Sequence, residues 1–142
     1  MASSLWGPSR EGFLDGTIDW DTAVIKAALV RGYTFNSAHK FVSDVTGAGG
    51  TLVATSAALT SKTVTNGVAD AADVVFSSVA AGAAIPAIIV FQSSAVTGGA
   101  DVAATAQRLV AYIDTATGLP VTPNGQNITV AWDSGANRIF VL

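Results

Sequence analysis

Short runs rich in valine, isoleucine and threonine, separated by turn residues at regular intervals, occupy the chain from Thr51 onward. Such runs predict β-strands, and their regular spacing is typical of a sandwich or barrel. Strands are predicted over residues 25–30, 52–59, 62–65, 74–79, 87–92, 108–113, 128–132 and 138–142. The first of these fits a buried strand or a short helix equally well by periodicity, and we favour the strand. The predicted fold is therefore mainly β, either a β-sandwich or barrel-like.

The last two predicted strands give the clearest local pattern. Apolar side chains alternate with Thr129 and Ala131 on a period of two. Asp-Ser-Gly at residues 133–135 then predicts a turn, so residues 128–132 and 138–142 should form a hairpin. The chain end is apolar, and we expect it to be a sheet strand or to be buried against a partner.

One short helix is predicted, over residues 37–45. Ala38, Phe41, Val42 and Val45 recur at the three-and-four spacing of a single buried helix face. Glycines follow within a few residues and should end the helix.

Residues 1–21 are predicted to form an N-terminal arm, followed by a single β-rich domain over residues 22–142. The arm is broken up by glycines and should contain one helical turn around residues 9–14. It carries Trp6, Phe13 and Trp20 but has too little sequence to bury these rings on itself. Because aromatic anchors dominate interface energetics, we predict these three as partner-binding residues. The alternative is that they fold back onto their own core.

Composition limits the classes of partner. Hydrophobic residues make up 50% of the chain and charged residues only 12%, so small uncharged residues must cover much of the surface. Such a chain should spend its life assembled, because a sparsely charged monomer tends to associate. The net charge of −3 and the scattered basic residues argue against nucleic acid. Without cysteine, the chain has neither disulfides nor a thiolate metal site.

Residues 74–91 form a long uncharged and largely apolar stretch, which raises the question of a membrane span. It contains serines, a glycine and a proline, and acidic rather than basic residues flank it, so we predict two strands and no membrane span. The first 14 residues lack the unbroken apolar stretch of a signal peptide, and synthesis in the cytoplasm is expected.

Catalytic side chains are scarce. His39 is the only histidine, and it is predicted on the outer face of the helix without an obvious partner, as a solvated surface residue. The glycines over residues 47–50 and 98–99 lack the lysine and the spacing of a phosphate-binding loop. We therefore predict no catalytic residues, no cofactor and no enzymatic activity.

Asp19, Asp21 and the loop over residues 133–137 are the candidate metal ligands in the sequence. Asp19 and Asp21 would point to one face of a strand, but calcium requires six to eight oxygens, so a solvated or ion-paired face is favoured. Asp70 and Asp73 bracket a predicted turn and should bond to nearby backbone. Residues 133–137, DSGAN, lack the length and the closing glutamate of a calcium loop. No metal site is predicted.

The chain resembles a family of small virion proteins encoded near the capsid genes of tailed bacteriophages. The resemblance spans most of the chain, and its C-terminal block is the most specific. The stretches that carry it are REGFLDGTIDWDT, ALVRGYTFN, SAALTSKTVTNGVADAADVVF and AYIDTATGLPVTPNGQNITVAWDSGANRIFVL.

The resemblance implies a structural component of the particle, most plausibly a capsid decoration or cement protein on the capsid exterior, assembled in the host cytoplasm. Its expected partners are further copies of itself, with a trimer as the first hypothesis, and the major capsid protein. A tail or fibre protein, including a receptor-binding module, is the alternative. The resemblance implies no catalytic residues.

Overall fold

A computed structural model describes residues 3–142 and shows a mainly β fold, as predicted. The elements, in chain order, are β1 (Ser4–Leu5), α1 (Gly7–Asp15), β2 (Val24–Arg31), α2 (Val42–Gly47), β3 (Thr51–Thr55), β4 (Thr63–Thr65), β5 (Val68–Asp70), β6 (Val74–Phe76), β7 (Ala87–Ser94), β8 (Arg108–Ile113), β9 (Ile128–Val130) and β10 (Phe140–Val141).

Five antiparallel strands form the central sheet, in the order β1-β8-β7-β2-β3. Every residue of β7 and β8 is buried, because both faces of the sheet are covered. This explains why these strands read as nearly continuous apolar runs in the sequence. On one face lie a three-stranded sheet, β10-β5-β4, and a two-stranded sheet, β6-β9. This side is packed like a sandwich.

Two hydrophobic clusters lie on the two faces of the central sheet. In β2, Leu29 belongs to the cluster under the small sheets, whereas its neighbour Val30 belongs to the other. Successive side chains of a strand point to opposite faces, which produces this division. The second cluster packs against α2 through Val45 and contains several aromatic rings, Trp6 and Tyr112 among them.

Residues 1–21 were predicted to form a separate N-terminal arm. In the structure, the residues from Ser4 to Trp20 pack against the rest of the chain and are part of the compact domain. Ser4 pairs with Tyr112 and Leu5 with Ala111, so β1 is an edge strand of the central sheet. Trp6 is 0% exposed and Trp20 is 4% exposed. The boundary predicted between residues 21 and 22 is therefore not a boundary between an arm and a domain.

Buried polar side chains explain why this segment stays in place. Arg108 is 8% exposed, and its Nη2 donates to Pro8 O at 2.7 Å while its Nη1 donates to Thr17 Oγ1 at 2.9 Å. Gln92 accepts from Asp19 N at 2.9 Å and donates to Thr17 O at 3.0 Å. Removing the segment would leave both buried side chains without these partners, at considerable cost.

The predicted helix begins later than expected. Residues 37–41 form a turn and an extended stretch, and α2 starts at Val42. The carboxylate of Asp44 accepts the backbone N–H groups of Lys40 and Phe41, both at 2.8 Å, which caps the helix at this point. The helical turn predicted near residue 9 is longer than expected, since it extends over the whole of α1.

The C-terminal hairpin prediction is wrong. Strand β9 pairs with β6 and strand β10 pairs with β5, so the two predicted partners belong to different sheets. Trp132 separates them: its N–H donates to Asp73 Oδ1 at 2.9 Å and its Nε1 donates to Ala72 O at 3.0 Å. Burial of the indole ring in the first cluster turns the chain away from a tight hairpin.

Strands β2 and β8 confirm the predictions for residues 25–30 and 108–113, whereas β1 and β5 were not predicted. The uncharged stretch contributes β6 and the start of β7, which lie in different sheets. Among residues 3–142, no helix is long and apolar enough to cross a membrane.

Candidate partner-binding surface

An apolar groove of about 290 Å³ lies where the end of α1 meets the three-stranded sheet. We call it the Phe13 groove. It is lined by Phe13, Gly16, Ile18, Asp19, Trp20, Asp21, Val64, Gly67, Ala69, Phe140 and Leu142. Two of the three predicted partner-binding residues, Phe13 and Trp20, therefore share one site.

Three aromatic rings form one wall of the groove. The Phe13 and Phe140 ring centroids are 5.6 Å apart, and Trp20 meets Phe140 edge to face at 5.1 Å. Trp20 Nε1 donates to Thr63 O at 3.2 Å, which fixes the indole against β4. Helix α1 ends at Gly16, whose left-handed φ of 77° lets the chain turn directly behind Phe13. These contacts preorganise the wall before any partner binds.

Large apolar side chains around the groove are exposed to solvent. Leu14, next to Phe13 on α1, is 90% exposed, and the lining residues Val64 and Leu142 are 58% and 59% exposed. Val64 and Leu142 line the same groove as the half-buried Phe13, so apolar side chains are grouped at this place. The contact role predicted for the apolar chain end stays a prediction.

The acidic side of the groove is occupied by a structured turn. Asp19 accepts the hydroxyl of Thr22 at 2.5 Å and the N–H groups of Asp21 and Thr22 at 3.0 Å each. These bonds, that of the Thr22 hydroxyl foremost, lower the pKa of Asp19. Lys62 lies nearby and donates to Ala23 O, and burial lowers its pKa. Asp19 is thus an ionised turn residue.

Trp6, the third predicted partner-binding residue, does not line the Phe13 groove. Its ring lies in the second cluster, against Phe35 at 5.4 Å and Tyr112 at 6.0 Å, and its Nε1 donates to Tyr33 Oη at 3.4 Å. Trp20 is also nearly buried and offers only an edge to the groove. Phe13, which is half-buried, is the predicted residue that the fold leaves most accessible.

His39 has a partner, contrary to the prediction. Tyr33 Oη lies 2.9 Å from its Nδ1 and accepts hydrogen bonds from Trp6 Nε1 and Asn36 N. Tyr33 Oη and His39 Nδ1 are thus hydrogen-bonded to each other, and the tautomer of the imidazole sets which of them donates. The ring serves to hold the turn that precedes α2.

Asp70 and Asp133 accept backbone hydrogen bonds from residues close to them in the chain. Asp70 accepts from Ala71 N at 2.9 Å, and Asp133 accepts from Gly135 N at 2.9 Å. Donation by Gly135 is the main cause that lowers the pKa of Asp133. Within residues 3–142, no group of three or more histidine or acidic side chains is placed to hold a metal ion.

Comparison with known protein families and with curated proteins found no match for this chain.

The sequence analysis did not name Val64 and Phe140 as parts of this surface. They could not have been found from local patterns, because β4 and β10 reach the groove only through their separate pairings with β5.

Proposed function

We propose that this protein is a structural virion protein, a decoration or cement protein that binds the outside of a capsid shell. It stabilises the shell by associating with copies of itself and by contacting the major capsid protein. The observation that carries the proposal is the preorganised apolar Phe13 groove, lined in part by exposed Val64 and Leu142, on a sparsely charged chain.

The groove suits permanent contact with a protein surface. Each exposed apolar side chain that a partner covers adds about 25 cal/mol per Å² of buried apolar area. The aromatic wall is already fixed by Thr63 and Phe140, so little conformational freedom is lost on binding. The major capsid protein is proposed as the partner because the sequence resembles virion proteins of tailed bacteriophages.

The same proposal treats the protein as a non-enzyme. Its one imidazole is bonded through Nδ1 to Tyr33, and the carboxylates of Asp19 and Asp44 accept backbone N–H groups. These roles are structural, and they support a protein that works by contact.

A second candidate, a tail or fibre module that binds a receptor, is favoured by one feature. A shallow depression of about 550 Å³ beside the second cluster is lined by Phe35 and by polar side chains. It is lined by Thr34, Phe35, Asn36, Ser37, His39 and Ala48. An aromatic ring among hydrogen-bonding groups in a concavity is the arrangement expected of a small-ligand site.

Reconstitution on particles stripped of the protein tests the first proposal. The purified chain should rebind, and Val64→Asp or Leu142→Asp should weaken binding roughly thirty-fold, the effect of losing about 2 kcal/mol at an interface hot spot. Val96→Asp is the matched control, because Val96 is 68% exposed but lies outside the groove.

Melting curves should show that all three variants stay folded. Equal binding by the groove variants and the control would remove the groove from the proposal. Labelled protein found on the tail in electron micrographs would overturn the assignment to the head and support the second candidate.

A further inference from the structure

A second apolar cleft, of about 490 Å³, lies on the other side of the small sheets, between the 116–121 loop and β9. Leu29 and Ile88 of the central sheet form its floor and are themselves almost fully buried. We call it the β9 cleft. It is lined by Leu29, Ile88, Ala116, Thr117, Gly118, Leu119, Val121, Asn127, Ile128, Thr129, Val130 and Ala131.

The wall formed by β9 is a free strand edge. Among the strands of residues 3–142, β9 pairs with β6 alone. Trp132 N–H points toward the β6 side, where it donates to Asp73. Peptide groups alternate between the two sides of an extended strand, so that of Thr129, the middle residue of β9, points into the cleft. The cleft therefore offers a backbone donor and a backbone acceptor directly above an apolar floor.

The chemistry of the lining defines the occupant. None of the lining residues is charged, so a charged ligand would lose hydration without gaining a counter-charge. The volume lies in the range of established ligand sites. A strand added to β9 would pair its backbone with Thr129 and direct alternate side chains onto Leu29 and Ile88.

We propose that the β9 cleft binds an extended, uncharged segment of a different polypeptide, which adds a strand to the free edge of β9. This site is separate from the Phe13 groove, and the proposal does not depend on a role in the virion.

The terminal strands of a second copy are not free to supply the strand. Near the two ends of the described residues, Ser4 already pairs with Tyr112 and Val141 with Val68. The buried contacts of Trp6 and Phe140 hold both of these strands in place. An extended segment taken from this part of the chain would have to leave its own sheet first.

Amide chemical-shift mapping on the isolated protein tests the proposal. The probes are a panel of acetylated, amidated pentapeptides in which Val or Leu alternates with Thr or Ser. Matched peptides carry Lys or Glu at the central position. We expect saturable shifts confined to residues 116–121 and 127–131, and at least tenfold weaker binding by the charged peptides.

Two variants separate backbone pairing from simple apolar binding. Thr129→Pro removes the N–H that faces the cleft and leaves the ladder to β6 intact, so it should weaken binding at least tenfold. Thr129→Val keeps that N–H and should bind as the original chain does. Thr117→Phe fills the cleft from the loop side and should abolish binding by a route that does not touch β9.

The proposal is overturned if no peptide gives saturable shifts at millimolar concentration, or if the shifts map elsewhere. It is also overturned if Thr129→Pro, shown to be folded by its spectrum, binds as well as Thr129→Val. A protein that self-associates through these same residues, with the association lost in Thr129→Pro, would show that a second copy is the occupant.

Discussion

Gly12 lies on the buried side of α1, where there is no room for a side chain. A Cβ at this position would come within 2.6 Å of Ile18 and 2.7 Å of an Arg108 guanidinium nitrogen. Both neighbours are buried, and Arg108 is held by hydrogen bonds, so neither can move freely. Glycine is required here by close approach of another segment.

Gly12→Ala should therefore destabilise the fold by about 1–3 kcal/mol, the usual cost of overpacking, although alanine is the better helix former. Gly47→Ala is the control, because Gly47 is also helical and a Cβ there meets nothing within 4 Å. Urea unfolding of the two variants provides the measurement. Equal stability of both would show that α1 is not packed against Arg108 in solution.

Asp44 makes the stability of α2 dependent on pH. Backbone donation by Phe41, and next by Lys40, lowers the pKa of Asp44 from its ordinary value of 3.8. A carboxyl with a lowered folded-state pKa stabilises the fold above its unfolded-state pKa, and this contribution is lost as the pH falls through the folded-state pKa.

Asp44→Asn should cost about 1 kcal/mol near neutral pH, as the loss of a helix cap does. The difference from the original chain should shrink as the pH falls below about 4. Unfolding measured from pH 7 to pH 2.5 tests this, with exposed Glu11→Gln as the control. A difference that stays constant across this range would contradict the capping role.

At the scale of the elements, the sequence indicates which segments are strands better than which strands pair. Residues 108–113 read as a strand because they combine an apolar run with flanking turn residues, and β8 has these bounds. Pairing depends on burial far along the chain: Trp132 reaches Ala72 and Asp73, and this contact separates β9 from β10. No local pattern in the last 15 residues contains that information.

For the candidate surface, too, the sequence indicated which residues are involved better than where the fold places them. The aromatic content of the first 21 residues correctly suggested that Phe13 and Trp20 pack onto something, and both meet Phe140. It could not indicate that Trp6 lies on the opposite face of the central sheet, because that depends on the pairing of β1 with β8.

Deletion of residues 1–21 should unfold the protein. It removes β1, α1 and the buried rings of Trp6 and Trp20, and truncation of one such ring alone typically costs about 3–5 kcal/mol. Whole domains are stable by only about 5–15 kcal/mol. Thermal melting followed by circular dichroism should show no cooperative transition, whereas deletion of residues 1–3 should keep it. A cooperative melt of the chain that lacks residues 1–21 would show that these residues form a separate arm that the domain does not need for folding.

At the scale of the whole molecule, exposed apolar side chains meet an open sheet edge at the C-terminal strand. Val141 is 41% exposed and Leu142 is 59% exposed, and β10 is an outer strand of its sheet. Exposed edges of this kind invite pairing between chains. We expect a closed homo-oligomer at micromolar concentration, with the trimer as the first hypothesis.

Leu142→Lys should lower the mass of the purified protein in solution toward that of the monomer, because a charge at a strand edge opposes pairing between chains. Val102→Lys is the control, since Val102 is exposed to the same degree as Val141 but lies in a loop. Analytical ultracentrifugation distinguishes the species. A strictly monomeric original chain would rule out self-association through this edge.

The strand order of the central sheet also determines how the protein can form during synthesis. Strand β7 is the middle strand, yet the ribosome makes it after β2 and β3, and β8 follows later still. Until Ser94 has emerged, β2 can pair with β3 on one edge but has no neighbour on the other. A nascent chain arrested before β7 should therefore remain sensitive to protease and depend on chaperones, and protection should appear only when β7 and β8 are both outside the ribosome.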